Sequence, residues 1–203
     1  MSEVVDLFSI PLYKSFLEVP SFMEDHVNKL QKKFHFEKLS TGYKSRVEDV
    51  LEHKLLLECK NQLLSSVHDY FYNVLNHTND VKFELIASWF NLHKKGQWCH
   101  EHSHTNSTIS GVWYIDVTED SGDIAFIREQ NIFGNGIEFE NVKDNHYNRS
   151  CYIHKPKNGD VLIFPSIMKH YVYENMTNKS RISLPFNCVH RGTVWTESAP
   201  YTV

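Results

Sequence analysis

The spacing of apolar residues along the chain changes near residue 80. Before that point, apolar residues recur at steps of three to four, as an amphipathic helix requires. The pattern predicts one helix from Ser21 to about Phe34 and a longer one from about Val47 to Leu75. The first residues, VVDLFSIPLY, predict a short strand before Pro11 and an extended continuation after it. Residues 1–80 therefore indicate a strand followed by helical support.

Beyond residue 80, short apolar runs alternate with Gly, Asn, Asp and Pro, which is the pattern of strands separated by turns. The predicted strands lie in VKFELIASWFNLH, STISGVWYIDV, GDIAFI, RSCYIHK, GDVLIFP, KHYVYEN and RISLPFNCVH. Short strands at this spacing favour a β-sandwich or barrel, with jelly rolls and cupins among the candidates. Segment 129–148 is weakly periodic and indicates either an insertion that covers a site or a disordered hairpin.

We expect a mainly β fold with α-helices, in which the N-terminal helices pack on one sheet of a double-sheet core formed by residues 81–192. The length of 203 residues suits a single domain over 1–203 with a sizeable core. Net charge is −4 and the basic residues are scattered, so no Lys/Arg stripe indicates a nucleic-acid partner. No apolar run approaches the length that spans a membrane.

Two features indicate a reducing, cytoplasmic location. The first residues, MSEVVDLFSIPLYKS, lack the basic start and long apolar stretch of a signal peptide. The four cysteines are far apart and form no C-x-x-C pair, which predicts free thiols. We therefore expect a cytoplasmic protein.

The densest chemistry in the chain is a run of alternating histidines, His100, His102 and His104. Alternate residues of a strand point to one face, so these three imidazoles project together if the segment is extended. Imidazole is a ligand for Fe, Zn, Cu and Ni. A solvated loop is the better explanation for one isolated histidine, whereas three at every second position favour a metal site.

Two later features complete this pattern. Gly159-Asp160 predicts a turn before a buried strand that ends at Pro165, and His170 then begins the next strand as a candidate third metal ligand. Arg181 and Ser183 follow one hairpin later and share a strand face. An arginine fork binds a carboxylate through two hydrogen bonds, and a serine hydroxyl adds a donor. Periodicity alone leaves an outward-facing arginine equally possible.

In this order, the motifs resemble the Fe(II)/2-oxoglutarate-dependent dioxygenase superfamily, whose usual pattern is H-x-D/E, a distal His and then an Arg. The closer resemblance is to the putative 2OG-Fe(II) oxygenase family common in marine bacteria and phages. The stretches that carry it are HSHTNSTISGVWYI, PKNGDVLIFPSIMKH and RISLPFN, and FSIPLYKS and Trp89-Phe90-Asn91 also look similar. The resemblance covers the chain from about residue 7 to 190.

The resemblance implies a double-stranded β-helix, or jelly roll, that holds one Fe(II) ion on His102, His104 and His170. It implies an enzyme that couples oxidative decarboxylation of 2-oxoglutarate, its co-substrate, to the oxidation of a further substrate by O2, as a hydroxylase does. The 1-carboxylate and keto oxygen of 2-oxoglutarate would bind iron, and the 5-carboxylate would bind Arg181 and Ser183.

Two further residues on the motif strands, Tyr114 and Asn187, are candidates for contacts with the co-substrate, and each is equally compatible with core packing. The resemblance implies no catalytic residue beyond the metal ligands. A phage-encoded protein of this kind would act in the host cytoplasm. The primary substrate has no signature in the sequence, and a homo-oligomer is compatible with it.

One position departs from the usual pattern, because His104 stands where the superfamily has a carboxylate. Three histidines give the site one more positive charge than two histidines and a carboxylate. His104 could instead swing away and leave water in its place, or the strand register could select His100 and His102 as the pair. The resemblance favours His102 and His104, since close relatives also carry histidine there.

Three other functions compete with the oxygenase. A cupin-type metal protein or dioxygenase that does not use 2-oxoglutarate shares the jelly roll and the start of the first cupin motif, but has no need of Arg181 and Ser183. A zinc hydrolase also uses clustered histidines, although Asn106 and Ser107 break the H-x-H-x-D-H pattern of one such family. A non-enzymatic jelly-roll module would bind no iron at all.

Overall fold

The structure, a computed structural model, describes residues 2–7, 9–24, 32–46, 49–77, 81–129, 139–194 and 201–202. The helices are α1, Ser21–Glu24, and α2, Leu57–Asp69; α2 follows a 3-10 turn at Val50–Glu52 and continues into a π-helical turn at Tyr70–Val74. The strands are Tyr13–Phe16 (β1), Phe36–Lys38 (β2), Tyr43–Ser45 (β3), Val81–Ser88 (β4), Asn91–His93 (β5), Cys99–His102 (β6), Ile109–Asp116 (β7), Ile124–Ile127 (β8), Cys151–His154 (β9), Asp160–Pro165 (β10), His170–Val172 (β11), Arg181–Val194 (β12) and Tyr201–Thr202 (β13).

These strands form two antiparallel sheets. The larger has the order β1-β10-β7-β12-β5-β3-β2, with β4 and β13 also paired to β12. The smaller has the order β6-β11-β8-β9. Two sheets with a helical layer outside the larger one correspond to the predicted jelly-roll class.

Alternation along β7, β10 and β12 divides the interior into two layers. Side chains such as Trp113, Ile163 and Phe186 face α2 and join one core cluster, whereas Tyr114 and Phe164 face the smaller sheet and join another. Strands buried on both faces appear in sequence as nearly continuous apolar runs, as VLIF does. The second layer, between the sheets, contains the pocket described below.

A close contact within the larger sheet requires glycine at one position. Gly111 and Phe186 are register partners on β7 and β12, and a Cβ at residue 111 would lie 2.2 Å from the Phe186 ring. Because Gly111 has no side chain, the Phe186 ring can pack directly against its backbone. A substitution here would displace a fully buried aromatic residue.

The predictions for the N-terminal region need two corrections. The described residues before Pro11 form no strand, and it is the extended continuation after Pro11 that contains β1, where Tyr13–Phe16 pairs with β10. The helix expected from Val47 begins only at Leu57. The 3-10 turn at Val50–Glu52, which lies within the predicted helix, is hydrogen-bonded to the sheet instead. Leu51 is fully buried, and its N–H donates to the buried Ser88 hydroxyl of β4. This tertiary contact overrides the helical spacing.

Other predicted elements differ in detail. The helix predicted from Ser21 is present as α1 and again at 32–34, and residues 25–31 lie outside the described residues. Trp89 and Phe90 interrupt the first long strand between β4 and β5, and β2, β3, β6 and β13 were not predicted as strands. Residues 139–148 of the predicted insertion form no strand, and residues 130–138 are not described. No described helix has the length and apolar character to cross a membrane.

Candidate metal centre and adjoining pocket

Three histidines converge between the two sheets. His102 ends β6, His170 begins β11, and the two are register partners, so their side chains lie directly opposite each other. His104 follows β6 in a loop whose backbone is fixed by a hydrogen bond from His104 N–H to the Ser166 carbonyl, 2.9 Å. One nitrogen from each of the three rings lies within 4.8 Å of the other two.

The Nδ1 atom of each histidine has an oxygen partner. His102 Nδ1 donates to the His100 carbonyl at 2.8 Å, and His170 Nδ1 donates to the Met168 carbonyl at 3.0 Å. His104 Nδ1 donates to the Asn187 side-chain oxygen at 2.5 Å. Because these oxygens can only accept, the proton of each ring is fixed on Nδ1. The lone pair of each Nε2 is then available to a metal, the usual arrangement for a ligating histidine.

The triad is also held in its neutral form. Burial lowers the pKa of His102 and His104 below the usual histidine value, and burial followed by the nearby His102 lowers the pKa of His170 to about 3. Around it, the Phe164 and Phe126 rings lie 5.0 and 5.8 Å from the His170 ring. Neutral imidazoles in a partly dry pocket are in the protonation state that metal binding needs.

The neighbouring residues of the histidine run do not join the triad. The His100 side chain is exposed, with its ring 5.7 Å from that of His102. Glu101 points outward and lies 3.8 Å from the Lys169 ammonium. Among the described residues, the candidate metal cluster consists of His102, His104 and His170 and contains no carboxylate. The structure therefore brings together the three histidines that the sequence singled out.

A pocket adjoins the triad and extends to the buried Arg181 on β12. Arg181 is 1% exposed; its Nε donates to the Gly122 carbonyl and its Nη1 to the Ser183 hydroxyl, at 3.2 and 3.0 Å. Burial lowers the pKa of this guanidinium. No carboxylate among the described residues forms an ion pair with it. The Asp123 charge acts on the guanidinium without a direct contact. A buried cation with no directly paired carboxylate is costly unless a ligand supplies the negative charge.

Two other polar atoms lie at this end of the pocket. Nδ1 of the buried His93 has no hydrogen-bond partner. The Tyr114 hydroxyl interacts with the Arg181 guanidinium, whose carbon is 5.2 Å from the Tyr114 ring centroid, but its own proton has no acceptor. Burial raises the pKa of Tyr114, an effect that Arg181 opposes. The pocket is lined by Trp89, Asn91, His93, Cys99, His102, His104, Gly111, Val112, Tyr114, Ile124, Phe164, His170, Val172, Arg181, Ser183 and Pro185.

Of the predicted co-substrate residues, Arg181, Ser183 and Tyr114 line this pocket, and Asn187 does not. Instead, the Asn187 oxygen accepts hydrogen bonds from His104 and from the buried Ser110 hydroxyl, at 2.5 and 2.8 Å. Asn187 therefore lies behind a candidate metal ligand. The described residues of segment 139–148 do not line the pocket either.

The sequence of residues 87–187 matches the family described as Putative 2OG-Fe(II) oxygenase. This range is about half of the chain and contains all three histidines of the triad as well as Arg181. The chain belongs to this family. It is accordingly an oxidoreductase of the 2-oxoglutarate- and iron-dependent type, and the family match, not the fold, decides against a cupin that does not use 2-oxoglutarate.

Solved structures of similar fold support the architecture of this oxygenase. A 2OG-Fe(II) oxygenase family oxidoreductase from Burkholderia pseudomallei has 15% identity and a TM-score of 0.57, covering 80% of this chain and 75% of that chain. A prolyl-4-hydroxylase from Pseudomonas putida has 13% identity and a TM-score of 0.56, with coverages of 91% and 95%. HygX from Streptomyces hygroscopicus, solved with nickel, 2-oxoglutarate and hygromycin B, has 12% identity and a TM-score of 0.58, with coverages of 93% and 85%.

These likenesses confirm the predicted jelly-roll fold. No curated protein sequence matches the oxygenase. His93 was not predicted as a site residue, because isolated histidines are common on surfaces and in cores. The available signal was the alternation of Asn91 and His93 along a strand, which places both side chains on one face.

Proposed function

We propose that this oxygenase is a hydroxylase that holds one Fe(II) ion on the Nε2 atoms of His102, His104 and His170. The observation that supports this assignment is the set of three Nδ1 hydrogen bonds, which leaves a neutral Nε2 lone pair on each of three rings that have one nitrogen within 4.8 Å of each other. A donor set of three imidazoles suits iron, as it suits zinc, copper or nickel, and family membership favours iron.

We also propose that Arg181 and Ser183 bind the distal carboxylate of 2-oxoglutarate. Arg181 has guanidinium N–H groups beyond the two that its protein partners accept, and it lies in the same pocket as the triad. The Ser183 hydroxyl accepts from Arg181 and keeps its own proton for donation to a carboxylate. A dicarboxylate would thus pair directly with a buried charge that no described carboxylate contacts.

The chain's own residues orient the reactants and keep the pocket dry. Bound iron and 2-oxoglutarate supply the oxidising chemistry, in which 2-oxoglutarate and O2 yield succinate and CO2 while one oxygen atom enters the substrate. His102 and His170 are held by backbone carbonyls and His104 by Asn187, so the three ligand atoms are preorganised. Phe164, Ile124 and Val172 form apolar walls that exclude water.

We also propose that the enzyme is located in the cytoplasm, or in the host cytoplasm if the protein is phage-encoded. The supporting observation is that its four cysteines, Cys59, Cys99, Cys151 and Cys188, form no disulfide.

The test of the proposed function is anaerobic Fe(II) binding followed by 2-oxoglutarate turnover in air. We expect one iron per chain and slow formation of succinate from 2-oxoglutarate even without the primary substrate, measured by chromatography. The His102→Ala variant is the matched negative control, since it removes one ligand atom. Stoichiometric iron binding without any binding of 2-oxoglutarate would overturn the co-substrate assignment, and absence of iron binding would overturn the metal site.

A further inference from the structure

We propose that His93 is a further co-substrate-binding residue, whose Nδ1–H donates a hydrogen bond to the distal carboxylate of 2-oxoglutarate beside Arg181. This inference rests on the proposed function and adds a contact to the same pocket. Neither the sequence motifs nor the family match assigns a role to this residue.

The sheet register places the His93 side chain next to the guanidinium. His93 on β5 and Arg181 on β12 are direct register partners, and both line the pocket. Side chains of directly opposed residues on one face have Cβ atoms about 5 Å apart. The next register pair on the same face of the sheet is Asn91 and Ser183. Ser183 also pairs with Tyr114 on β7. Polar side chains from three adjacent strands therefore form one continuous floor.

One edge of the His93 ring packs against the backbone, and the nitrogen on the other edge has no hydrogen-bond partner. A Cβ at Gly42 would lie 2.5 Å from His93 Cδ2 and 2.9 Å from Nε2, so this edge of the ring packs against the Gly42 backbone. Nδ1 lies on the edge away from Cδ2, is buried and has no hydrogen-bond partner. His93 as a whole is 5% exposed. A buried polar atom without a partner costs free energy that a ligand oxygen could recover.

The charge state of His93 suits a donor beside an arginine. Burial, and then the positive charge of Arg181, lower its pKa to about 3. The imidazole is therefore neutral near pH 7 and carries a single N–H. It adds a hydrogen bond to the carboxylate without adding a second positive charge beside Arg181.

The same pocket floor contains the Tyr114 hydroxyl, whose proton has no acceptor. Together, Arg181, Tyr114 and His93 offer one charge and several N–H and O–H groups around a volume that no described carboxylate occupies. A single carboxylate has about four lone-pair sites, enough to accept from all three. The arrangement thus fits one anionic group better than it fits water alone.

The test compares 2-oxoglutarate with 2-oxobutyrate, a keto acid that has the same metal-binding end but lacks the distal carboxylate. Both are titrated into Fe(II)-loaded protein without oxygen, by calorimetry, for the wild type, His93→Phe and His93→Asn. We expect His93→Phe to raise the Kd of 2-oxoglutarate roughly 10- to 100-fold, the effect of losing one hydrogen bond to a charged group. The Kd of 2-oxobutyrate should not change.

The His93→Asn variant tests whether the donor itself matters. Its amide nitrogen occupies about the place of Nδ1, so most of the affinity should return. His68→Phe is the matched control: His68 also has a buried nitrogen without a partner, but it lies on α2, away from the pocket. If His93→Phe does not fold, as thermal unfolding would reveal, His93→Leu replaces it in the same titration.

Three results would overturn the proposal. They are an unchanged 2-oxoglutarate affinity in His93→Phe, an equal loss of affinity for both keto acids, and an asparagine variant as weak as the phenylalanine variant. If the wild type itself binds iron but not 2-oxoglutarate, the proposed function fails together with this inference. That failure is distinguishable, because it appears before any His93 variant is measured.

Discussion

The two ends of the pocket differ in how their polar groups are satisfied. At the triad end, each histidine has its Nδ1 bonded to an oxygen, and its orientation is fixed without any ligand. At the inner end, no described carboxylate pairs directly with Arg181, His93 Nδ1 has no hydrogen-bond partner, and the Tyr114 hydroxyl has no acceptor for its proton. The hydrogen bonds of the triad end are satisfied within the protein, whereas the inner end keeps donors available for an anion.

This difference suggests how the two ligands divide their tasks. Fixed imidazoles present lone pairs at little reorganisation cost, as a metal site requires. Unsatisfied buried donors make the ligand-free protein less stable and make binding of a carboxylate more favourable. Removing the unpaired charge at the inner end should therefore stabilise the ligand-free protein while it weakens binding of 2-oxoglutarate. Removing a group at the triad end should weaken iron binding without such a gain in stability.

The largest expected effect is at the triad. His102→Ala or His170→Ala removes a direct ligand, which should weaken Fe(II) binding by more than the roughly 100-fold that loss of an outer partner can cause. Anaerobic equilibrium dialysis with iron measures this loss. His100→Ala is the matched control from the same strand, because its exposed side chain does not join the cluster. Equal iron binding by His100→Ala and His102→Ala would refute the assignment.

The next effect separates stability from binding at the inner end. Arg181→Met removes the buried charge while keeping an apolar side chain of comparable length. We expect 2-oxoglutarate binding to weaken about 100-fold or more, iron binding to persist, and the ligand-free protein to become more stable by about 1 kcal/mol. Calorimetry and urea unfolding measure the two changes. A variant that is destabilised yet still binds 2-oxoglutarate would contradict the comparison.

A smaller effect is expected behind the triad. Asn187→Ala removes the oxygen that accepts from His104 Nδ1, so His104 loses its fixed orientation. Iron affinity should fall about 10- to 100-fold. Asn187→Asp keeps an acceptor at that position and should retain most of the affinity. If both variants bind iron like the wild type, His104 does not depend on Asn187 for its placement.

The last effect is on stability as a function of pH, and it involves no ligand. The pKa of His93 is about 3 in the folded state, against about 6.5 for an unperturbed histidine. Between these values the unfolded state binds more protons than the folded state, so stability falls as pH decreases from about 6.5 toward 3. Each such histidine contributes about 1.4 kcal/mol per pH unit within that window.

His93→Phe should reduce this slope by the contribution of one group, as measured by urea midpoints of the ligand-free protein between about pH 6 and 4.5. His170→Phe should give a second reduction, since the pKa of His170 is also about 3. The two reductions should add in the double variant. An unchanged slope in His93→Phe would mean that this imidazole is not held neutral by burial.

The sequence predicted the candidate site residues whose grouping depends on local spacing only in part. Arg181 and Ser183 share a strand face, as the two-residue period of strands predicts. The same period predicted that His100, His102 and His104 project together, but His100 is exposed and His104 lies in the loop after β6. The strand blocks beyond residue 80 were predicted for the same reason, although Trp89 and Phe90 interrupt the first of them.

What the sequence could not predict depends on sheet register. His93 becomes significant only because β5 lies beside β12 in the register that opposes His93 to Arg181. Asn187 contacts the candidate metal ligand His104 only because its strand passes behind the loop of His104. The overlong helix prediction failed for a related reason, since Leu51 is held by Ser88 from a distant strand.

The measurement that tests the central claim most directly is an anaerobic crystal structure with Fe(II) and 2-oxoglutarate bound. We predict Nε2 of His102, His104 and His170 on one iron, with the distal carboxylate of 2-oxoglutarate against Arg181. A structure with His104 turned away from the iron, or with the co-substrate carboxylate outside the reach of Arg181, would contradict it.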